Sequence, residues 1–287
     1  MRSYRHRFHA GNAADVFKHW ILMLLLEHMA QKEKPFRYID THAGAGGYDL
    51  HSDAAAEWRG GIGRLWARPH LPPSLERLRD HVAQFNPVGR LEIYPGSPLW
   101  AQRLCRSQDE IRLFEWHPTD FGVLSADTAL GRDERVRCFE ADGFAGLKAL
   151  LPPPSRRALV MIDPPYERQD EYERVVKGLE MALARFASGV YALWYPELAS
   201  APARRLPDRL ERLAARWLRA DLHFDRPRPD GLGMTGCGMF VINPPWTLAA
   251  ELEATLPALA AVLAGAEEPP RCSIRRGEAG LAGRAPA

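Results

Sequence analysis

Short apolar runs recur along this chain, and most of them end on an acid or on a glycine- or proline-rich turn. FRYID (Phe36–Asp40) runs into the glycine-rich THAGAGG. LEIYPGSP, IRLFEWHP (Ile111–Pro118), VRCFEADGF (Val136–Phe144), ALVMIDPPY (Ala158–Tyr166) and GVYALWYP (Gly189–Pro196) continue the series, and DLHF (Asp221–Phe224) and GMFVINPPW (Gly238–Trp246) close it. The early runs are each followed by helical periodicity. A continuous apolar run suits a strand buried on both faces, and strands alternating with helices make a doubly wound parallel sheet. Ligands of such sheets bind outside the carboxyl ends of the strands, where the acids and glycines of this chain fall.

The 287 residues, of which 46% are apolar, suit one large domain or one domain carrying an insertion. Trp58, Ile62, Leu65 and Trp66 fall at helical spacing, as do Leu75, Leu78, Val82 and Phe85, with Pro69, Pro72 and Pro73 between the groups. Residues 48–92 are therefore expected to form a small helical insertion. Residues 1–47 and 93–265 supply the sheet domain, and 266–287, rich in Ala, Gly, Pro and Arg, read as a flexible tail. Near the N-terminus the longest apolar run is Ile21–Leu26. It falls far short of the ~20 residues that cross a bilayer and is also short for a signal-peptide core of about 7–15 residues, so a cytoplasmic protein with no membrane contact is expected. Cys105, Cys138, Cys237 and Cys272 show no C-x-x-C spacing, which argues against a disulfide scaffold and a structural zinc; no metal is expected. The net charge of +2 confines any nucleic-acid surface to a local patch.

The first twenty residues hold Arg2, Arg5, Arg7, Lys18, His6, His9 and His19 against one acid, Asp15. Asn12 is placed to cap a helix and Asp15 to sit in its first turn; the helix is expected to run through Gln31, with Pro35 ending it. Tyr4 lies among the arginines before any apolar pattern begins, and Gly11 offers a hinge. This segment is expected to be a mobile cover, whose arginines can engage phosphates while Tyr4 packs on a base or ribose. His9 and His28 read as ordinary surface or partly buried histidines.

The strand-end motifs carry the chemistry. Asp40-Thr41-His42-Ala43-Gly44-Ala45-Gly46-Gly47 lets backbone approach a ligand, but it is neither G-x-G-x-x-G nor a phosphate-binding loop ending in Gly-Lys-Ser/Thr. Glu115, at the end of the next parallel strand, can accept from two ribose hydroxyls. Asp142 can accept from an adenine amino group while Gly143 leaves room for the ring. Asp163-Pro164-Pro165-Tyr166 is the sharpest signal. Transfer to an exocyclic amine needs an acceptor that draws on the N–H, and the Asp163 carboxylate can do so with the Pro164 carbonyl beside it. Prolines remove local donors and stiffen the turn, and Tyr166 can stack on a base taken out of its helix. Asn243-Pro244-Pro245-Trp246 is a second match. Only about forty residues follow it, too few for the strands such a fold needs after its catalytic strand, so it is read as the end of the last strand, with Trp246 packing on the following helix.

Taken with SYRH and FHAGN at Ser3–Asn12, ADVFKH at Ala14–His19, DTHAGAG at Asp40–Gly46, YPGSP at Tyr94–Pro98, ADGF at Ala141–Phe144, IDPPYE at Ile162–Glu167 and YALWYP at Tyr191–Pro196, these motifs resemble the RlmJ family, bacterial 23S ribosomal RNA adenine-N6-methyltransferases. The resemblance implies a Rossmann-like class I methyltransferase fold, with a mostly parallel seven-stranded sheet whose last strand is antiparallel. It implies S-adenosylmethionine as methyl donor and one adenine of 23S ribosomal RNA as acceptor, on protein-free RNA or an early assembly intermediate, with the enzyme as a monomer. The implied cofactor contacts are His19, His42, Ser97, Glu115, Asp142 and Gly143. Asp163 is the implied catalytic acceptor, and Tyr4, His6 and Lys18 lie on the substrate side. Gly47 stands where close relatives are expected to carry a larger polar residue. Three alternatives stay open on the residues alone: transfer to a guanine N2 or a protein amide, a nicotinamide-dependent oxidoreductase, and an RNA-binding protein with a dead methyltransferase fold.

Overall fold

In the computed structural model, which describes residues 9–51, 56–224, 233–264 and 271–277, the Asn12 side chain accepts a hydrogen bond from the Asp15 N–H at 3.0 Å and starts helix α1 (Ala13–Ala30). Apolar residues surround α1, so it is buried on almost every side. It stops at Ala30, short of Pro35. Strand β1 (Arg37–Asp40) follows, then an antiparallel ribbon of β2 (Gly47–Asp49) and β3 (Ile93–Pro95). Between the two ribbon strands lie a short 3-10 turn at 57–60, α2 (Ile62–Trp66) and α3 (Pro73–Ala83). LEIYPGSP is therefore the return leg of this ribbon, pairing Tyr94 with Tyr48, and not a strand of the main sheet.

Helix α4 (Ser97–Leu104) leads into β4 (Glu110–Glu115), α5 (Pro118–Ala126), α6 (Thr128–Gly131), β5 (Val136–Glu140) and α7 (Gly143–Leu150). Then come β6 (Ala158–Ile162), α8 (Gln169–Arg185), β7 (Val190–Glu197), α9 (Ala201–Glu211), β8 (Trp217–His223), β9 (Gly236–Ile242), α10 (Leu248–Leu263) and β10 (Arg271–Gly277). The sheet order is β10-β8-β9-β7-β6-β1-β4-β5. Strands β5, β4, β1, β6 and β7 are parallel, and β9 runs antiparallel to both β7 and β8. The chain winds from β1 out to β5, then returns to β6 and winds the other way, so the strand order reverses at β1 and β6. That switch point is where an open parallel sheet leaves a crevice.

Alternate residues of each strand serve opposite layers. Tyr38, Leu159 and Met161 pack with α1, α4 and α10, whereas Ile39, Val160 and Ile162 pack with α7, α8 and α9. Among the described residues no helix is long and apolar enough to cross a membrane.

The structure corrects three further expectations. The sheet has eight strands, because residues 271–277 of the expected tail form β10 along β8. Their arginines mask an alternation in which Cys272 and Ile274 pack on the core, and Ser273 Oγ donates to Asp221 Oδ2 at 3.0 Å. Strand β8 starts at Trp217, before DLHF. Trp246 does not pack on α10: it is 80% exposed, after a turn in which Asn243 takes a left-handed backbone (φ +54°) and its side-chain amide donates to the Ala187 and Gly189 carbonyls. Truncation after residue 270 should strip the edge from β8 and lower Tm by roughly 5–10 °C in calorimetry, the scale of losing a few kcal/mol in a domain of this size. An unchanged Tm would show that β10 adds nothing.

Candidate active site

The carboxyl ends of β1, β4, β5 and β6 open onto one pocket of about 560 Å³, which the start of α1 also lines. Beneath its lining residues Thr41 and His42 lies Asp40, fully buried, whose carboxylate accepts from the Tyr38 hydroxyl at 2.8 Å and the His42 N–H at 3.2 Å. Burial pushes this carboxyl up to about 6, against hydrogen bonds from Ser97, Tyr38 and His42 that pull it back. His42 turns into the pocket, its Nδ1 at 2.8 Å from Thr41 Oγ1 and its ring edge-on to Phe144. Ser97 lines the pocket from the first turn of α4.

After Asp40 the chain makes a tight turn with Gly44 (φ +63°) and Gly46 (φ +88°) in left-handed backbone, where a side chain would be strained. The Gly44 N–H donates to Glu115 Oε2 at 2.8 Å, and the His117 N–H to Oε1 at 2.6 Å. Glu115 thus ties the ends of β1 and β4 together and still lines the pocket. Burial raises its carboxyl above the ordinary glutamate range, and these backbone donors oppose that rise.

At the end of β5, one Asp142 oxygen caps α7 through the Phe144 N–H at 3.0 Å, and the other takes Arg174 of α8 at 2.9 Å. The Arg174 guanidinium also lies 5.5 Å from the centre of the half-exposed Trp116 ring. A Cβ on Gly143 would come within 2.2 Å of the Thr41 carbonyl oxygen, so only glycine lets α7 begin this close to the β1 turn.

Asp163 follows β6 and faces α1. Its Oδ2 accepts from the Lys18 ammonium, which also lies 2.7 Å from Asp15 Oδ1. Burial alone would pull the Lys18 pKa down, but the two carboxylates outweigh it and hold the pKa well above the ordinary lysine value. His19, next along α1, lines the same rim with Nδ1 at 2.9 Å from Tyr94 Oη.

The structure therefore brings Lys18, His19, His42, Ser97, Glu115, Asp142, Gly143 and Asp163 to one pocket. It does not bring Tyr166 there as an open platform. A left-handed backbone (φ +51°) accompanies a ring that is 6% exposed, packed 4.7 Å from Tyr172, with its hydroxyl donating to the Trp194 carbonyl at 2.9 Å. Tyr4 and His6, with the rest of the expected N-terminal cover up to residue 8, lie outside the described residues. Sequence reasoning treated Asp15 only as a first-turn acid, although its i, i+3 spacing to Lys18 foretells their pairing. Trp116 and Arg174 were missed: Arg174 reaches the pocket from a helix remote in sequence, and no motif marks it.

Residues 33–272 match the family model described as "Ribosomal RNA large subunit methyltransferase D, RlmJ". The chain belongs to the RlmJ family. The proteins named ribosomal RNA large subunit methyltransferase J from Escherichia coli K12 and Haemophilus influenzae are 46% and 45% identical to it, over 90% and 92% of this chain and 92% and 94% of their own. A crystal structure of a Legionella pneumophila protein superposes with a TM-score of 0.86 at 35% identity, covering 94% of this chain and 98% of the other. The RlmJ match takes in every strand-end residue of the pocket, whereas Lys18 and His19 precede its first residue. Membership of this family removes the nicotinamide alternative.

The titration of Asp40 has a measurable consequence. Between the ordinary value of 3.8 and about 6, the native state keeps a proton that the unfolded chain has released. Asp40 therefore makes stability fall as pH rises through that window, and its contribution is constant above it. Asp40→Asn should flatten urea-derived stability between these pH values, changing the difference between the two proteins by up to about 3 kcal/mol. Parallel curves would contradict the burial of this charge.

Proposed function

We propose that Asp163 is the acceptor that orients the reacting amine, and that the pocket between Glu115 and Asp163 holds the methyl donor. The enzyme is an S-adenosylmethionine-dependent methyltransferase acting on the N6 amino group of an adenine in 23S ribosomal RNA. The observation that carries the assignment of roles is that Asp163 lines one pocket together with Glu115, Asp142 and Gly143.

The residues fit a nucleoside joined to an amino-acid tail. Glu115 is held by two backbone N–H groups and suits a ribose diol. Gly143 keeps the backbone low beside Asp142, as an adenine ring requires, and Trp116 adds an aromatic edge. His19, His42 and Ser97 line the same pocket and offer polar groups suited to the methionine part. When bound, S-adenosylmethionine supplies an electrophilic methyl group on its sulfonium.

Lys18 occupies Oδ2 of Asp163, leaving Oδ1 to accept from an amine N–H, with the Pro164 carbonyl as a second acceptor. Both acceptors in use turn the nitrogen lone pair toward the donor side. Pro164 and Pro165 carry no N–H, so no local backbone donor competes for the carboxylate. The nitrogen must shed one proton after gaining a methyl group, and Asp163 is placed to receive it. A carboxylate only accepts, which suits the N6 amine of adenine.

The Asp163 side chain is only 18% exposed, so the base must leave its helix to reach it. This favours protein-free RNA or an early assembly intermediate as substrate, in the cytoplasm. The enzyme is proposed to act as a monomer.

Asp163→Ala should still fold, because Asp15 keeps the buried Lys18 ammonium paired, and should keep cofactor affinity but lose methylation of protein-free 23S RNA, measured with labelled S-adenosylmethionine. Asp163→Asn should also fall well below the parent, because an amide is a weaker acceptor than a carboxylate. Near-normal turnover in either variant would remove Asp163 from this role. Glu115→Ala should weaken S-adenosylmethionine binding by roughly 1.5–3 kcal/mol in calorimetry, the scale of hydrogen bonds to a charged group. Unchanged affinity would place the nucleoside elsewhere.

A further inference from the structure

A second groove, of about 390 Å³, opens at the opposite rim of the sheet, where β6 and β7 begin and β9 ends. Lys32, Arg156, Arg157 and Arg216 line it together with His28 and Trp246, and no acid does. Lys32, Arg156 and Arg216 are exposed, and Trp246 stands 80% free of the protein surface. Arg157 is fixed by donating to the Met29 and Lys34 carbonyls, and Arg216 donates to the Pro244 carbonyl at 2.9 Å. Carbonyl partners orient a guanidinium without neutralising it. The Asp109 carboxylate whose field reaches Arg157 is buried and already bound to Arg106. The gathered positive charge pushes the His28 pKa below the ordinary histidine value, after burial as the larger cause. Arg156 is held in left-handed backbone (φ +54°), a conformation that favours glycine.

From this arrangement we infer that the groove is a second RNA-docking surface, in which the cations engage phosphates and Trp246 stacks on an unpaired base. Guanidinium groups without acidic neighbours suit phosphate oxygens, and an exposed indole gives any base a sequence-tolerant platform. The charge complementarity favours RNA over a protein partner, since a chain of net charge +2 concentrates four cations here with no lining acid. Strand β6 separates this groove from Asp163 by roughly 15 Å, taking a strand rise of ~3.3 Å per residue. An RNA reaching both rims must therefore extend well beyond the reacting adenine. The inference rests on the enzyme's action on 23S RNA and adds how the larger substrate is held.

The test compares Trp246→Ala, and a triple variant that adds Lys32→Ala and Arg156→Gly, with the parent on protein-free 23S RNA and on a short stem-loop carrying only the target adenine. The triple variant should keep Tm, because glycine suits the backbone at 156. Its KM for 23S RNA should rise about tenfold with kcat unchanged, and stem-loop methylation should not change. Filter binding of 23S RNA should lose about two units of its salt slope, one for each cation removed. Equal KM and equal salt slope would overturn the inference, as would equal RNA binding combined with lost association to protein-bearing subunit precursors, which would assign the groove to a protein. Filter binding needs no turnover, so a parent enzyme that methylates neither RNA would sink the activity assignment while the groove still receives its own answer.

Discussion

The Lys18 ammonium, buried between Asp15 and Asp163, is the contact on which the arrangement of this molecule turns. A buried charge persists only when it is paired, and two flanking carboxylates keep this ammonium protonated. The same contact joins the first helix to the turn after β6. Helix α1 is otherwise held by a mainly apolar surround, with His19 bonded to Tyr94 and the Trp20 indole donating to Ser74. Asp15 also accepts from the Gly11 N–H at 3.0 Å, so the approach to the helix is drawn into the same cluster.

Around that cluster the pocket is built from backbone as much as from side chains. Glu115 draws its donors from the turn after β1 and from its own strand end, and Asp142 spends one oxygen on the first turn of α7. Each acid is therefore aimed by the fold before any ligand arrives, which lowers the reorganisation that binding requires. The glycine at 143 serves the same end by sterics, since its missing side chain lets α7 start against Thr41.

The two rims of the sheet differ in charge. The carboxyl ends gather Asp40, Glu115, Asp142 and Asp163, whereas the amino ends near β6 and β7 gather arginines and an exposed tryptophan. A sulfonium cofactor suits the first and a polyanion suits the second, so one sheet can serve both.

The sequence alone determined the alternating plan, the parallel sheet and the strand-end acids, because apolar runs and the turns after them are local patterns. Asn12 as cap, β5 and β6 as strands, and Asp163 at a strand end were all legible in this way. Only the tertiary structure decided which residues share the pocket. Arg174 belongs there because α8 packs beside α7, a fact that no spacing in the chain encodes. Strand β10 was hidden because arginines occupy its outward positions, and what makes it a strand is the open edge of β8. Tyr166 and Trp246 follow similar Pro-Pro turns, yet one is buried and the other bare. The turn chemistry is local, but burial depends on what the rest of the chain places above the ring: Tyr172 and Trp194 cover Tyr166, whereas Trp246 stands at an open rim.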